Sequence, residues 1–174
     1  MTKRYLVHLN NNQLCAIDTE TTGTSPGYHE VVQLALLPLD ANLEPLPQLP
    51  IFDIYIRPEY PDRLEPDAYR KIGRERWAQI ISQGIPQEKA TDLFDSWFLR
   101  LGIEDKSIAP LAQNWPFDSA MLKVLFGHAH FNRYFFGHYR DTMSTASYLN
   151  DRADFSGEQT PFPKLGLGSL AAKL

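Results

Sequence analysis

The alternation of apolar and polar residues predicts that the chain begins with three β-strands. Residues 14–17 and 30–39 form two apolar runs, and residues 51–57 alternate between apolar and polar side chains. Runs of this length and period are typical of strands, and the segment between the second and third contains turn residues. We therefore expect an antiparallel meander at the front of the chain.

Beyond the meander the spacing of apolar residues changes to that of helices. A proline-rich stretch over residues 57–66 predicts a loop, and residues 108–112 predict a short buried strand. The predicted helices cover residues 67–82, 86–102, 117–126, 141–150 and 168–174. Strands followed by helices mixed with a strand predict an α/β fold, a mixed sheet flanked by helices.

Composition limits the classes of protein that the chain can represent. Its 174 residues fit one domain, and 43% hydrophobic and 22% charged residues are typical of globular proteins. A net charge of −4 argues against a protein that coats nucleic acid through a global basic surface. No apolar run is long enough to span a membrane and residues 1–8 lack a secretory signal, so we expect a cytoplasmic protein without membrane contact.

Cys15 is the only cysteine. One cysteine can form neither a disulfide within the chain nor a zinc cluster of thiolates. Because it lies in the first apolar run, we expect its side chain to be buried as a small hydrophobic residue.

Two carboxylates follow the first predicted strand, at Asp18 and Glu20, in the run Asp18-Thr19-Glu20-Thr21-Thr22-Gly23. Residues i and i+2 of a strand face the same side of a sheet, so these side chains are neighbours. Adjacent anions repel each other, and a hard divalent cation such as Mg²⁺ or Mn²⁺ with oxygen ligands relieves that repulsion. The pair predicts a metal site.

A third carboxylate, Asp118, follows the buried strand at 108–112 and falls in the first turn of the next helix. The helix dipole favours a negative charge there, and such a junction lies at the edge of the sheet where α/β proteins bind ligands. We expect Asn114 to fix the preceding loop through its side chain. By itself an aspartate at this position is more often a helix cap, but its combination with Asp18 and Glu20 favours a shared metal site.

The Asp18–Gly23 run, together with Asn114, Phe117 and Asp118, resembles the DEDD superfamily of 3′–5′ exonucleases, the DnaQ-like group with an RNase H-like fold. Weaker likenesses at residues 81–88, 140–142 and 164–174 extend the resemblance over nearly the whole chain. The resemblance implies an RNase H-like mixed sheet and removal of nucleotides from the 3′ end of a nucleic acid.

The family also implies roles for individual residues. Asp18 would bridge two Mg²⁺ or Mn²⁺ ions, with Glu20 holding one and Asp118 supporting the other, in a two-metal hydrolysis of the terminal phosphodiester. The resemblance assigns substrate binding to the residues around these carboxylates, which are Thr21, Thr22, Gly23, Asn114 and Phe117. The implied partner is single-stranded or 3′-end DNA or RNA, and a homodimer is a further expectation because some family members dimerise.

The family's third motif is a His or Tyr followed by a last Asp, and neither spacing occurs after Ser169. We expect the His subtype and a single exonuclease-like domain over residues 1–174 that lacks its C-terminal part, with little activity by itself. The alternative is an inactive exonuclease-like module that binds nucleic acid or protein. A phosphatase of the haloacid dehalogenase type would need Asp-x-Asp where this chain has Asp18-x-Glu20.

Several other side chains are weaker candidates. Trp115 and Phe117 are equally consistent with base stacking and with core packing. The histidines at 128 and 130 are expected in a surface loop, and His138 is expected to be packed among aromatic residues. The densest basic cluster, expected to face solvent rather than phosphates, consists of Arg70, Lys71, Arg74 and Arg76.

Overall fold

A computed structural model describes residues 12–172 of the protein. Its centre is a mixed sheet of five strands in the order β3-β2-β1-β4-β5. The strands are β1 (Gln13–Thr21), β2 (Val31–Leu39), β3 (Phe52–Tyr55), β4 (Ile108–Ala112) and β5 (Arg140–Asp141). The first three pair in antiparallel fashion, as the sequence predicts, whereas β4 pairs with β1, and β5 with β4, in parallel.

Within residues 12–172, six α-helices flank this sheet. They are α1 (Pro66–Ile72), α2 (Arg74–Gln83), α3 (Gln87–Leu101), α4 (Trp115–Tyr134), α5 (Thr142–Phe155) and α6 (Leu167–Ala171). A short 3₁₀ turn at Pro61–Arg63 lies in the predicted proline-rich loop. The arrangement confirms the predicted α/β fold with a mixed sheet. Among residues 12–172 no helix combines the length and the apolar character needed to cross a bilayer.

The main hydrophobic core lies between one face of the sheet and helices α3 and α4. Phe94 of α3 is fully buried at its centre, and its ring lies 4.6 Å from that of Tyr134 and 4.8 Å from that of Phe126, centroid to centroid. Trp97 is also fully buried and donates a 2.7 Å hydrogen bond from Nε1 to the carbonyl of Pro50. Cys15 is buried in this core, as expected, and burial raises the pKa of its thiol to about 12.

The opposite face of the sheet carries a smaller apolar cluster around Leu14, Leu39 and Ala109. Two cavities open on this side of the sheet, with volumes of about 680 and 490 Å³. Both are bordered by Leu111 of β4 and by Leu167 of α6. This face is therefore less completely covered than the face that packs against α3 and α4.

The predicted helix over residues 67–82 is wrong as a single element. Gly73 divides it into α1 and α2, with φ 82° and ψ 154°. That backbone conformation is strained for a residue with a Cβ atom, whereas glycine adopts it readily. The break gives α2 a direction of its own, and its first turn comes to lie near the carboxylates of β1.

The predicted helix over residues 117–126 is also only partly correct. Helix α4 continues past residue 126 across a kink at Gly127 (φ 72°), so His128 and His130 are exposed helical residues and not part of a loop. The two-residue strand β5 was not predicted, because two residues are too short to show an alternating pattern. Helix α5 runs five residues further than expected, and the predicted end of α6 lies outside the described residues.

We expect the packing of α3 to dominate the stability of the fold. Truncation of Phe94 to alanine should lower the free energy of unfolding by about 3–5 kcal/mol, because the side chain is fully buried against several rings. The matched control is Leu99→Ala in the same helix, where the side chain is 69% exposed. Urea denaturation of both variants checks the prediction, and an equal loss in the two would contradict it.

Candidate active site

Asp18 and Glu20 lie near the carboxyl end of β1 on one side of the sheet. Along this strand the buried residues Ile17, Thr19 and Thr21 alternate with these two carboxylates. Asp18 is exposed and Glu20 is partly exposed. The structure therefore confirms the predicted side-by-side arrangement, which follows directly from the period of two in a strand.

Asp118 comes to the same end of β1 because β4 runs parallel to β1 and leads into α4. The carboxylate is only 4% exposed, and its Oδ1 accepts a 2.6 Å hydrogen bond from the Thr19 hydroxyl. It therefore contacts β1 instead of capping its own helix. Thr19 was not among the predicted site residues. Its position between the two carboxylates of β1 was the feature of the sequence that could have identified it.

Burial makes all three carboxylates harder to ionise than isolated ones, and the charge of Asp18 adds to this effect at Glu20 and Asp118. Burial raises the pKa of Asp118 to about 6, with a smaller contribution from the charge of Asp18 and opposition from the Thr19 hydrogen bond. Asp18 is accessible to solvent, yet partial desolvation raises its pKa as well. For Glu20, desolvation is again the largest cause of a raised pKa, followed by the charge of Asp18. The three groups share one region of unfavourable negative potential.

Arg76 supplies the nearest opposing charge. Its Nη1 lies 3.1 Å from Oε1 of Glu20 and donates a hydrogen bond to that atom. Its charge lowers the pKa of both Asp18 and Glu20, and Lys71 acts on Glu20 in the same direction. Arg76 is exposed, as expected for this basic cluster, but its guanidinium also pairs with Glu20. Arg70 pairs with Asp67 within α1.

The Thr21–Gly23 segment forms a buried turn held by its own hydrogen bonds. The Thr21 hydroxyl donates to the carbonyl of Gly23 at 2.7 Å. The Thr22 hydroxyl accepts from the amide of Glu30 at 2.9 Å, and the Thr22 carbonyl accepts from the amide of Glu65 at 2.8 Å. These contacts connect the end of β1 to the residues just before β2 and α1, so they fix the rim of the site.

Gly23 is required by a neighbouring histidine. A Cβ atom at this position would lie 2.5–2.6 Å from ring atoms of His29, which is a severe clash. His29 is 5% exposed; its Nδ1 accepts a 3.0 Å hydrogen bond from the amide of Ser25, and its Nε2 lies 3.4 Å from a carboxylate oxygen of Glu65. The resemblance implies that Gly23 contacts substrate, whereas in the structure the His29 ring occupies the space next to its Cα.

The β4–α4 junction departs from expectation at Asn114 and decides between the two roles left open for Trp115. Asn114 precedes α4 with a left-handed backbone (φ 63°) and makes no capping hydrogen bond through its side chain, so its contribution is conformational. Trp115 is 5% exposed and packs among aromatic rings of the core, which makes it unsuitable for base stacking. Phe117 is partly buried and packs against the same core.

Asp141 holds this junction from the next strand. It is 5% exposed, and its carboxylate accepts hydrogen bonds from the amide of Trp115 at 2.5 Å and from the amide of Ser144 at 2.8 Å. A single carboxylate thus joins the first residue of α4 to the first turn of α5. The sequence placed Asp141 at the start of a helix but not in contact with α4.

The donor chemistry of the site fits a hard divalent cation. Asp18 and Glu20 are adjacent carboxylates with raised pKa values, so they supply oxygen ligands whose negative charge is only partly balanced by neighbouring cations. Gln33, paired directly with Glu20 across the sheet, buries an amide oxygen that has no hydrogen-bond partner among the described residues. Within residues 12–172, however, no three His, Cys, Asp or Glu side chains are arranged to hold an ion. Glu20 is instead bonded to Arg76 and Asp118 to Thr19.

The cavity of about 490 Å³ reaches Asp18, but neither Glu20 nor Asp118 borders it. It is bordered by Asp18, by Gln113 at the end of β4 and by Thr142 at the start of α5. The larger cavity of about 680 Å³ contains none of the three predicted carboxylates. We place the candidate active site at Asp18 on the basis of charge and hydrogen bonding, not of cavity size.

The remaining histidine candidates lie elsewhere on the surface. His128 and His130 are exposed on the second half of α4. His138 is also exposed, although its ring lies 5.0 Å from that of Phe136, so the expectation of a packed histidine is wrong.

Solved structures with a similar fold are nucleases. A structure of exonuclease I matches 94% of this chain and 35% of its own, with a TM-score of 0.66 and 17% identity. Exonuclease I from E. coli, in complex with a dT13 oligonucleotide, matches 82% of this chain and 31% of its own, with a TM-score of 0.60 and 18% identity. Cell-death related nuclease 4 (CRN-4) matches 85% of this chain and 50% of its own, with a TM-score of 0.58 and 19% identity.

The chain thus spans about a third of the exonuclease I chains that it matches and half of CRN-4. At these identities the likeness shows the fold, which agrees with the predicted RNase H-like sheet. No curated protein matches the chain in sequence. A family model for RNase T, described as an exonuclease, matches residues 15–136, a range that contains all three candidate carboxylates. The chain therefore belongs to the RNase T exonuclease family.

Proposed function

We propose that this chain is a metal-dependent 3′–5′ exonuclease domain that removes nucleotides one at a time from nucleic-acid 3′ ends. Membership of an exonuclease family supports nuclease activity. The single observation that carries the proposal further is the convergence of Asp18, Glu20 and Asp118 at the carboxyl end of β1, where they interact electrostatically. Clustered carboxylates with raised pKa values are typical of a site that binds metal ions.

The three carboxylates would hold the metal ions, for which Mg²⁺ or Mn²⁺ is the best match to an all-oxygen donor set. Asp18 would help to hold both ions, Glu20 one of them and Asp118 the other. The ions would supply stabilisation of charge on the attacking and leaving oxygens of a phosphodiester. Thr19 orients the Asp118 carboxylate through its 2.6 Å hydrogen bond. Residues 1–174 supply these three carboxylates, and we expect slow cleavage by this polypeptide alone.

The proposed substrate is a single-stranded or frayed 3′ end of DNA or RNA. The turn formed by Thr21, Thr22 and Gly23 would shape the rim against which the terminal nucleotide lies, since it is fixed by hydrogen bonds beside Asp18. Asn114 and Phe117 would border the opposite side, at the start of α4. Exonuclease I, a protein of the same fold, has been solved with oligonucleotides, which supports this class of substrate.

An exonuclease-like module that binds nucleic acid without cleaving it is the second candidate. It is favoured by the absence, within residues 12–172, of three acidic or histidine side chains arranged to hold a metal ion. The two candidates differ in one measurable property, because a binding module retains an oligonucleotide without shortening it.

Cleavage assays test the first candidate directly. With Mn²⁺ or Mg²⁺, 5′-labelled single-stranded DNA and RNA should shorten slowly from the 3′ end, and a phosphorothioate linkage at that end should block the reaction. The substitutions Asp18→Asn and Asp118→Asn should each lower the rate by about 100-fold or more. Asp154→Asn, at an exposed position of α5, is the control and should leave the rate unchanged. Oligonucleotide binding without shortening would favour the second candidate.

The raised pKa of Asp118 predicts a characteristic dependence of stability on pH. The folded protein holds this proton up to about pH 6, whereas the unfolded chain releases it near pH 3.8. The metal-free protein should therefore lose stability as the pH rises from about 4 to 6, and the loss persists above that range. This rise in the pKa of Asp118 corresponds to a loss of about 3 kcal/mol in the free energy of unfolding once the pH is above both pKa values.

Asp118→Asn should remove this pH dependence. Asparagine keeps an oxygen that accepts the Thr19 hydrogen bond but carries no charge, so the variant should be about 2–3 kcal/mol more stable than the unsubstituted protein at pH 7.5 without metal. Chemical denaturation between pH 4 and 8 measures the difference, with Asp154→Asn as the control. A variant that is less stable at every pH would contradict the assigned environment of Asp118.

A further inference from the structure

The contact between Arg76 and Glu20 joins the candidate active site to a helix outside the motifs. Arg76 lies in the first turn of α2, and its Nη1 is 3.1 Å from Oε1 of Glu20. Its side chain is 45% exposed, so the guanidinium lies at the boundary between the carboxylates and solvent. Because its charge acts on both Asp18 and Glu20, Arg76 occupies the electrostatic position of a cation at this pair.

We propose that Arg76 is a switchable phosphate-binding residue. Without a divalent cation it pairs with Glu20, and when a cation takes Glu20 the guanidinium is released to bind a backbone phosphate of the nucleic acid. The inference rests on the proposed function, since it requires that Asp18 and Glu20 hold a metal ion. It adds a binding role for a residue that lies outside the three carboxylates and the Thr21–Gly23 turn.

The position of Arg76 within its helix supports this role. The positive end of the helix dipole disfavours cations in the first turn, yet the first turn of α2 contains two arginines, Arg74 and Arg76. Lys71 precedes them at the end of α1. Among the described residues neither Lys71 nor Arg74 has a carboxylate oxygen within 4.0 Å of its charged nitrogens. Lys71 thus adds positive charge without an ion-pair partner among the described residues, and this charge acts on Glu20.

The chemistry of the two partners explains the exchange. A cation held by the Glu20 carboxylate repels the Arg76 guanidinium and takes up part of the negative charge that attracts it, so cation binding weakens the ion pair at Oε1. The fork of N–H donors on arginine matches the oxygens of a phosphate as well as those of a carboxylate. Thermodynamic linkage then requires that the cation and the nucleic acid each strengthen the binding of the other.

Calorimetric titration of Mn²⁺ into the metal-free chain tests the first half of the switch. Arg76→Gln should bind Mn²⁺ about two- to tenfold more tightly than the unsubstituted chain, because the cation no longer competes with an ion pair. Arg100→Gln removes an equal charge at an exposed position in the last turn of α3, and should leave the affinity unchanged. Asp18→Asn, measured in parallel, shows whether the ion binds at the predicted site.

Oligonucleotide binding tests the second half. The probe is a short single-stranded oligothymidylate with phosphorothioate linkages, and its affinity is measured against salt concentration with Ca²⁺ or with a chelator. With Ca²⁺, Arg76→Gln should lower the slope of log affinity against log salt by about 0.7, the contribution of one phosphate contact on a single strand. With the chelator, the slopes of the variant and the unsubstituted chain should be equal, because Arg76 is then held by Glu20.

The outcomes separate this inference from the function on which it rests. Mn²⁺ binding that depends on Asp18 but is unchanged in Arg76→Gln overturns the inference and leaves the proposed function intact. If Arg76→Gln lowers the slope of log affinity against log salt equally with Ca²⁺ and with the chelator, the proposed switch is also overturned. Absence of any Mn²⁺ binding by the unsubstituted chain overturns both.

Discussion

The parallel pairing of β1 with β4 is the constraint on which the candidate site depends. It directs the carboxyl ends of both strands to one edge of the sheet, so the helix that follows β4 begins beside the carboxylates of β1. The Thr19 hydroxyl then bonds Asp118 across 99 residues of sequence, and Asp141 ties the start of α4 to α5. Antiparallel pairing at this position would place Asp118 at the opposite edge. The aromatic core around Phe94 matters to function because it holds α4 against the sheet.

The three carboxylates of the candidate site destabilise the folded protein when they are ionised. Asp18, Glu20 and Asp118 all have raised pKa values, since burial disfavours their charged forms and the charge of Asp18 adds repulsion at the other two. A structure selected for stability alone would place neutral residues here. The surrounding framework tolerates the repulsion because the Thr21–Gly23 turn is fixed by hydrogen bonds to residues before β2 and α1, and by the His29 ring packed against Gly23.

Helix α2 gives the site a source of positive charge that the Asp18–Gly23 run does not contain. Gly73 ends α1 and starts α2 in a new direction, which brings Arg76 to Glu20. A continuous helix over the same residues would follow a different path. The same short segment also carries Lys71 and Arg74, so the acidic pair and a basic surface lie next to each other. This juxtaposition suits a protein that binds cations and phosphates in one place.

The sequence by itself determined the strand meander, the shared orientation of Asp18 and Glu20, and the location of Asp118 at a strand–helix junction, because these depend on local periodicity and on residues close in the chain. Only the tertiary structure decided which side chains meet across long separations. It turned Asp118 towards Thr19, Arg76 towards Glu20 and Trp115 into the core, and it filled the space beside Gly23 with His29. Such contacts depend on the direction of each element after every turn, which the local pattern of apolar residues does not encode.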